Sequence, residues 1–374
     1  MIEAVIFDID GVLLDSKGVF VKQKSSKQVV FDDNYYKSVI RQFGYSPLEF
    51  KRINFSFGKL KKEDIQRRWL CHNGGDRFAN GMRRGRKAIV STGFGLTGIP
   101  HIGTVSQIVR AVTLQKAGVQ VNMVLGDLDA FNGKGTPLEK TLEWTKKYRN
   151  FARKLGFRET SGSILRSQYD TPEVLRTSYI TGHYMDDELF ANSMEDLHYF
   201  YYKRGIGEKA LGYRAKLSLN LMIADFIHLN LENKYDYVMV MLGIDEHNYV
   251  RAATETLGRM KASGDFKSMN LELSAIYSPM IKGFYNYPKM SKSFPNSGIR
   301  VDMKPDEMRG RIMKGEGKYD RPENNVVYQM MIAASYYSTE KLKENYVLCA
   351  ARDPKWKNAK ADYAEMLIDI CSKW

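Results

Sequence analysis

The chain has 374 residues, 43% of them apolar, enough to bury a core and, by length, to form two or three domains. Its 57 lysines and arginines against 43 acids leave a formal charge of +14, a field that favours polyanions such as nucleic acid, with a well-solvated basic surface as the plain alternative. No apolar run approaches the roughly 18 residues needed to span a bilayer, the first residues lack a secretory pattern, and Cys71, Cys349 and Cys371 stand too far apart for a zinc site, so a globular cytoplasmic protein with free thiols is expected.

MIEAVIFDIDGVLLDS opens the chain. An apolar strand, Ala4-Val5-Ile6-Phe7, delivers Asp8 and Asp10 to one face where it ends, and Gly11 follows as a turn former. The string resembles the phosphoryl-transfer site of haloacid dehalogenase-like phosphatases. The resemblance implies Asp8 as nucleophile and Asp10 as acid/base, both helping to hold magnesium. A buried strand ending in an Asp-Gly turn is the plain reading. Residues 34–43 and 59–71 carry apolar positions three and four apart and predict helices. HNGGDRFANGMRRGRK (72–87) has turn formers and no period, so it reads as irregular, with a domain boundary near residue 85.

From 87 onward strands and helices alternate, the pattern of a doubly wound parallel sheet. KAIVST (87–92) is a strand and TVSQIVRAVTLQKAG (104–118) a helix closed by Gly118. VQVNMVLGDLDA is the next strand with its polar exit, and residues 137–157 are a second amphipathic helix. YDYVMVMLGID (235–245) is another buried strand, with a helix over NYVRAATETLGRM behind it. Beyond 305 the chain is rich in helix formers with charged faces. Three segments follow: 1–85, a phosphatase-like fragment; 86–300, a nucleotide-binding α/β domain; and 301–374, a helical C-terminal region.

Two stretches carry the chemistry. STGFGLTGIPHIGT (91–104) lies between a strand and its helix; Gly93, Gly95, Gly98 and Gly103 let backbone approach phosphates, and the helix beyond Gly103 offers unpaired N–H groups to an anion. It lacks the spacing of a dinucleotide fingerprint and of a P-loop. YPKMSKSFPNSGI (287–299) presents Lys289 and Lys292 from a short loop bounded by Ser and Pro, suited to reach a triphosphate. Together, an HIG-type loop and a KMSKS loop in this α/β pattern resemble class I aminoacyl-tRNA synthetases. The likeness covers residues 87–315 and implies a Rossmann-like fold, ATP with its Mg2+, an amino acid, tRNA as partner and a homodimer.

Residue by residue, His101 matches the first His of the HIGH motif and Thr104 stands where the second is usual. Lys289 and Lys292 match the motif lysines, and Met290 and Ser291 lie between them as part of the ATP site with Gly93, Gly95 and Gly103. MLGIDEHNYVRAATETL (241–257) resembles the strand end that holds the ATP ribose, which assigns Gly243 and Asp245, with Glu246 where Gln is commoner. No metal ligand is expected on the protein unless the phosphatase reading of Asp8 and Asp10 holds.

Within class I the loop lengths resemble the tyrosyl/tryptophanyl branch. VLGDLDAFNGKG resembles its second strand exit and adds Asp127 to the amino-acid site, with Asp129 where His is usual. LNLMIADFIHL (219–229) aligns with the helix lining the aromatic pocket: Met222 and Asp225 share one helix face, a soft apolar wall beside one acceptor, which suits an indole N–H. The plain reading is a core helix with Asp225 paired. Ser91 falls near the Tyr that meets the phenol in tyrosyl enzymes, which puts tryptophan ahead of tyrosine. Activation of an amino acid for another acceptor is the alternative, because only a short region follows the KMSKS loop. A phosphatase is a third reading, for which 85 residues are too few to hold a whole core.

Overall fold

The computed structural model describes residues 6–7, 13–14, 33–48, 53–193, 212–287, 289–290 and 295–374. Ile6–Phe7 (β1) pairs antiparallel with Leu13–Leu14 (β2) in a two-stranded sheet of its own. Asp8 and Asp10 lie outside the described residues. Helix α1 is Asp33–Gln42, β3 is Ser46–Pro47, α2 is Lys62–Arg68, β4 is Cys71–Asn73 and α3 is Gly75–Arg83.

This stretch departs from the sequence reading at two places. The helix expected over 59–71 stops at Arg68, because buried Trp69 turns extended (φ −129°, ψ 152°) and Leu70 N–H donates to the Tyr277 carbonyl at 2.8 Å, joining the chain to a sheet. The stretch 72–87, read as irregular, holds a strand and a helix. Phe78 and Ala79 of α3 are buried, and Gly81 lets the helix close on Tyr237: a Cβ there would meet the Tyr237 ring at 2.7 Å. Glycine in this helix marks a close approach to the sheet rather than a loop.

The strands expected over 87–92, 119–130 and 235–245 and the helices behind them are present, and strands at 164–167 and 272–278 that the sequence reading did not include join them. Ala88–Gly95 (β5), Ile102–Lys116 (α4), Val121–Gly126 (β6), Asp127–Lys134 (α5), Leu138–Lys154 (α6), Ile164–Ser167 (β7), Pro172–Gly182 (α7) and Asp187–Ala191 (α8) come first. Tyr213–Leu231 (α9), Tyr237–Gly243 (β8), His247–Ser263 (α10) and Glu272–Ser278 (β9) follow. The GDLDA exit of β6 is itself helical. Seven strands make one sheet in the order β3-β4-β9-β8-β5-β6-β7. The five from β9 to β7 run parallel, and β4 and β3 add antiparallel at one edge. Strand order reverses between β5 and β8, and at such a switch point a crevice opens at the carboxyl ends of the strands.

Alternate residues of β5 feed the two layers, as strand geometry requires. Ala88 and Val90 pack with Ile108 and Val112 of α4 and with Tyr148 of α6. Ile89 packs on the other face with Ile223 and Ile227 of α9 and Val250 of α10. Each such fully buried aliphatic side chain is worth roughly 1.5–3 kcal/mol against exposure. The C-terminal helices Pro305–Lys314 (α11), Val326–Ala333 (α12), Thr339–Ala350 (α13) and Trp356–Ser372 (α14) send Met308, Val327, Leu342 and Leu367 into the core that Val90 occupies. The sheet thus runs across residue 85 and this core runs across residue 300. Among the described residues no helix is long and apolar enough to cross a membrane.

Candidate active site

The first glycine loop starts inside the sheet. β5 continues past the predicted KAIVST, with Gly93 opposite Val124 and Gly95 opposite Gly126 in parallel register. A Cβ at Gly93 would meet the Val124 carbonyl oxygen at 2.8 Å, so this glycine serves strand packing. One at Gly95 would meet Asp129 Oδ2 at 2.9 Å, so the Asp129 carboxylate lies against the loop entry. Beyond it, Leu96 N–H donates to the Gly126 carbonyl at 3.2 Å. His101 caps α4: its Nδ1 accepts from Gly103 N–H at 2.9 Å, which leaves the neutral ring's proton on Nε2. Thr104 is buried in the first turn. The α4 N-terminus, with its positive dipole end, therefore faces the crevice behind an imidazole.

The second loop is stitched to the first by backbone. Ile102 N–H donates to the Ile299 carbonyl at 3.1 Å and Val301 N–H to the Pro100 carbonyl at 3.0 Å, around a bridge between His101 and Arg300. At the carboxyl end of β8, Gly243 leads into a turn over Ile244–Glu246, and Lys289 Nζ contacts Asp245 Oδ2 at 3.1 Å. A Cβ at Gly243 would sit 2.6 Å from Asp245 Oδ1, so that glycine admits the carboxylate. Buried Met290 anchors the loop root through its N–H, which donates to the Ile281 carbonyl at 3.0 Å. Ser291 and Lys292 lie outside the described residues. His101, Thr104, Gly243, Asp245 and Lys289 thus gather at the switch-point crevice of β5 and β8.

The proposed amino-acid residues lie beside it, under α9, in a polar network. Ser91 Oγ accepts from Asn122 Nδ2 at 3.0 Å, and Asn122 Oδ1 accepts from Arg166 Nε at 3.2 Å. Arg166 Nη2 donates to Asp225 Oδ1 at 2.8 Å, and Gln168 Nε2 to Asp225 Oδ2 at 2.7 Å. Gln168 Oε1 then accepts from Asp129 N–H at 2.9 Å, and Ser218 Oγ donates to Asp129 Oδ1. Asp225 is therefore a paired carboxylate; burial pushes it up, while Arg166 and Gln168 pull it back. Met222, half-buried, stands one turn before it. Asp127 is wholly buried and accepts from Leu128 N–H, Tyr169 N–H and Thr145 Oγ, which fixes the entry of α5.

Arg166, Gln168 and Asn122 escaped the sequence reading. The signal available was an arginine inside ILRS, an otherwise apolar strand run that needs a buried counter-charge. Next to the network, His228 is pushed down to about 3, by burial first and by Arg166 second. Its folded form stays neutral while the unfolded chain takes up a proton below the ordinary histidine range, near 6.5, so the stability it protects is lost as pH falls from there toward 3. His228→Gln is expected to flatten the fall in melting temperature between pH 7 and 5, and an unchanged fall would remove His228 as its source.

A surface groove of about 300 Å³ lined by Asn230, Asp236 and Asp265 lies at the other, amino-terminal end of β8 and β9, away from this chemistry. Residues 83–367 match the family of class I tRNA synthetases (W and Y). The chain belongs to that family. This class I synthetase is 23% identical over 289 residues to a tryptophan–tRNA ligase of Aeropyrum pernix, across 75% of its own length and 71% of the relative's. In fold it is similar to the tryptophanyl-tRNA synthetase of the same archaeon, with a TM-score of 0.71 at 19% identity, covering 91% and 92% of the two chains. A tryptophanyl-tRNA synthetase from Encephalitozoon cuniculi bound to tryptophan gives 0.70 at 16% identity over 90% and 92%. A tyrosyl-tRNA synthetase from Archaeoglobus fulgidus complexed with L-tyrosine gives 0.65 at 17% over 83% and 97%. The synthetase match begins at residue 83, and none of these findings bears on the phosphatase resemblance of the first residues.

Proposed function

We propose that this class I synthetase activates tryptophan with ATP and transfers it to tRNA, as a cytoplasmic homodimer. The observation that carries the reading is the stitching of the 91–104 loop to residues 299–301, with the Lys289–Asp245 ion pair at the carboxyl end of β8 on the neighbouring strand of the switch point. In the reaction, a carboxylate oxygen of the amino acid attacks the α-phosphorus of ATP in line. A new O–P bond forms as the bond to the pyrophosphate oxygen breaks, and pyrophosphate leaves with that electron pair. The protein contributes positioning and charge: the α4 N-terminus and His101 toward the phosphates, Asp245 toward the ribose, Lys289 and Lys292 toward the departing pyrophosphate, with the backbone at Gly95 and Gly103 leaving room. In this reading Mg2+ arrives with the ATP phosphates.

Tryptophan is favoured by Met222 and Asp225 on the face of α9 beside Ser91, and by the names of the relatives. In this reading the indole N–H joins Arg166 and Gln168 as a third donor to Asp225. The decisive experiment is ATP–pyrophosphate exchange across the twenty amino acids, followed by transfer to total tRNA. Tryptophan should exchange fastest; fast exchange of a non-aromatic amino acid would sink the assignment. Met222→Gln should move discrimination toward tyrosine by about tenfold or more, since a buried amide penalises the ligand that leaves it unpaired. A drop in melting temperature with no change in preference would make Met222 a core residue only. For the opening residues, which resemble a phosphatase, we propose no part in the synthetase reaction, with Asp8 and Asp10 taking no part in activation.

A further inference from the structure

The glycine loop is held from two sides. One side is the strap at residues 299–301. The other is Tyr148, from the middle of α6, whose phenol O–H donates to the Gly98 carbonyl at 2.5 Å across fifty residues of sequence. Gly98 is the turn of the loop, at φ +122°, a conformation that side-chain-bearing residues rarely adopt. The Tyr148 side chain is fully buried, and its ring is fixed by Phe94 in the loop entry (centroids 5.4 Å apart, tilted) and by Trp374 (4.9 Å, edge-on). Trp374 in turn stacks on Trp144 at 5.9 Å and meets Phe151 at 5.4 Å. An aromatic box on α6 thus orients one hydroxyl, and that hydroxyl orients one carbonyl of the loop.

We propose that Tyr148 is a positioning residue for ATP: by holding Gly98 it sets the path of residues 96–101 and hence where His101 and the first turn of α4 meet the phosphates. Tyr148 touches no reacting atom. It acts through Gly98, with the strap at 299–301 closing the opposite side, so the loop is pre-organised before nucleotide arrives. The buried phenol keeps its proton, since burial raises it above the ordinary tyrosine range, and it stays a donor at every working pH. The proposal rests on reading 91–104 as the nucleotide loop.

Tyr148→Phe removes the hydroxyl and keeps the ring box. In the full-length protein it should raise the KM for ATP about three- to tenfold in pyrophosphate exchange, the worth of one lost hydrogen bond, with the KM for the amino acid and the melting temperature nearly unchanged. Amide hydrogens of residues 96–103 should exchange faster in the variant, and this readout needs no activity. Unchanged exchange of those amides together with an unchanged KM for ATP would overturn the proposal. If the wild type activates none of the twenty amino acids, the functional reading fails, and the amide exchange still decides whether Tyr148 orders the loop. Gly98→Ala is the second variant: its Cβ would enter open space, so any effect comes from the backbone strain at φ +122°. It should show the same two signatures, and the double variant should be no worse than the worse single one. Full additivity would mean that Tyr148 acts elsewhere.

Discussion

Replacement of Lys292 by alanine is expected to lower amino-acid-dependent ATP–pyrophosphate exchange about a hundredfold or more, the usual effect of removing one group aimed at charge that develops only in the transition state. The assignment comes from KMSKS, since Lys292 lies outside the described residues. Its partner in the motif behaves differently. Lys289 is already in an ion pair with Asp245, both largely buried, so Lys289→Ala strips a counter-charge from the crevice as well as a phosphate contact. We expect Lys292→Ala to change exchange at constant melting temperature, and Lys289→Ala to change both. Undiminished exchange in Lys292→Ala would remove Lys292 from the mechanism.

Arg166→Met should cost about 3–5 kcal/mol of stability, because it leaves the Asp225 carboxylate buried without its counter-charge. In a chain of 374 residues that corresponds to a fall in melting temperature of about 4–6 °C. The pair is well enclosed, with side chains 8% and 4% exposed, so solvent offers little relief. The pH dependence has a definite sign. Burial already raises Asp225, and loss of Arg166 raises it further, so the folded variant prefers the protonated carboxyl. The deficit should be smallest in acid and should grow only as pH rises above the ordinary carboxylate range, from the raised titration of Asp225 in the wild type toward the still higher one in the variant. Asp225→Asn added to Arg166→Met should recover much of the loss, since a neutral amide replaces the stranded charge. Equal melting temperatures for wild type and Arg166→Met across this range would show that the pair contributes nothing, and would free Asp225 for a purely ligand-directed role.

Local pattern was enough to reveal the α/β alternation, three of the five parallel strands with the helices behind them, the glycine loop and the lysine loop. Each of these is written in contiguous residues: a 3.6-residue apolar period in α4 and α6, a short β-branched run in β5 and β8, and two strings whose residue types must stand side by side to reach one phosphate chain. Hydrophobic periodicity of this kind survives without knowledge of partners. The same logic explains the misreadings. Gly74, Gly75 and Gly81 look like turn formers in isolation, yet Gly81 is there because Tyr237, far along the chain, presses on α3. Cys71–Asn73 carries no strand pattern of its own and becomes a strand because β9 offers an open edge.

By itself, then, the sequence determined that this is a doubly wound α/β protein with a glycine loop ahead of a helix and a lysine loop well after the strand at 235–245, since those properties depend on neighbours within a few residues. Only the tertiary structure decided that the two loops are stitched together at Pro100 and Ile299, that Tyr148 holds Gly98, and that Asp225 is already engaged by Arg166 and Gln168. Each of those contacts joins residues from different elements. A buried donor or charge must find a partner, but which partner it finds is set by the packing of sheet and helices and leaves no trace in local spacing.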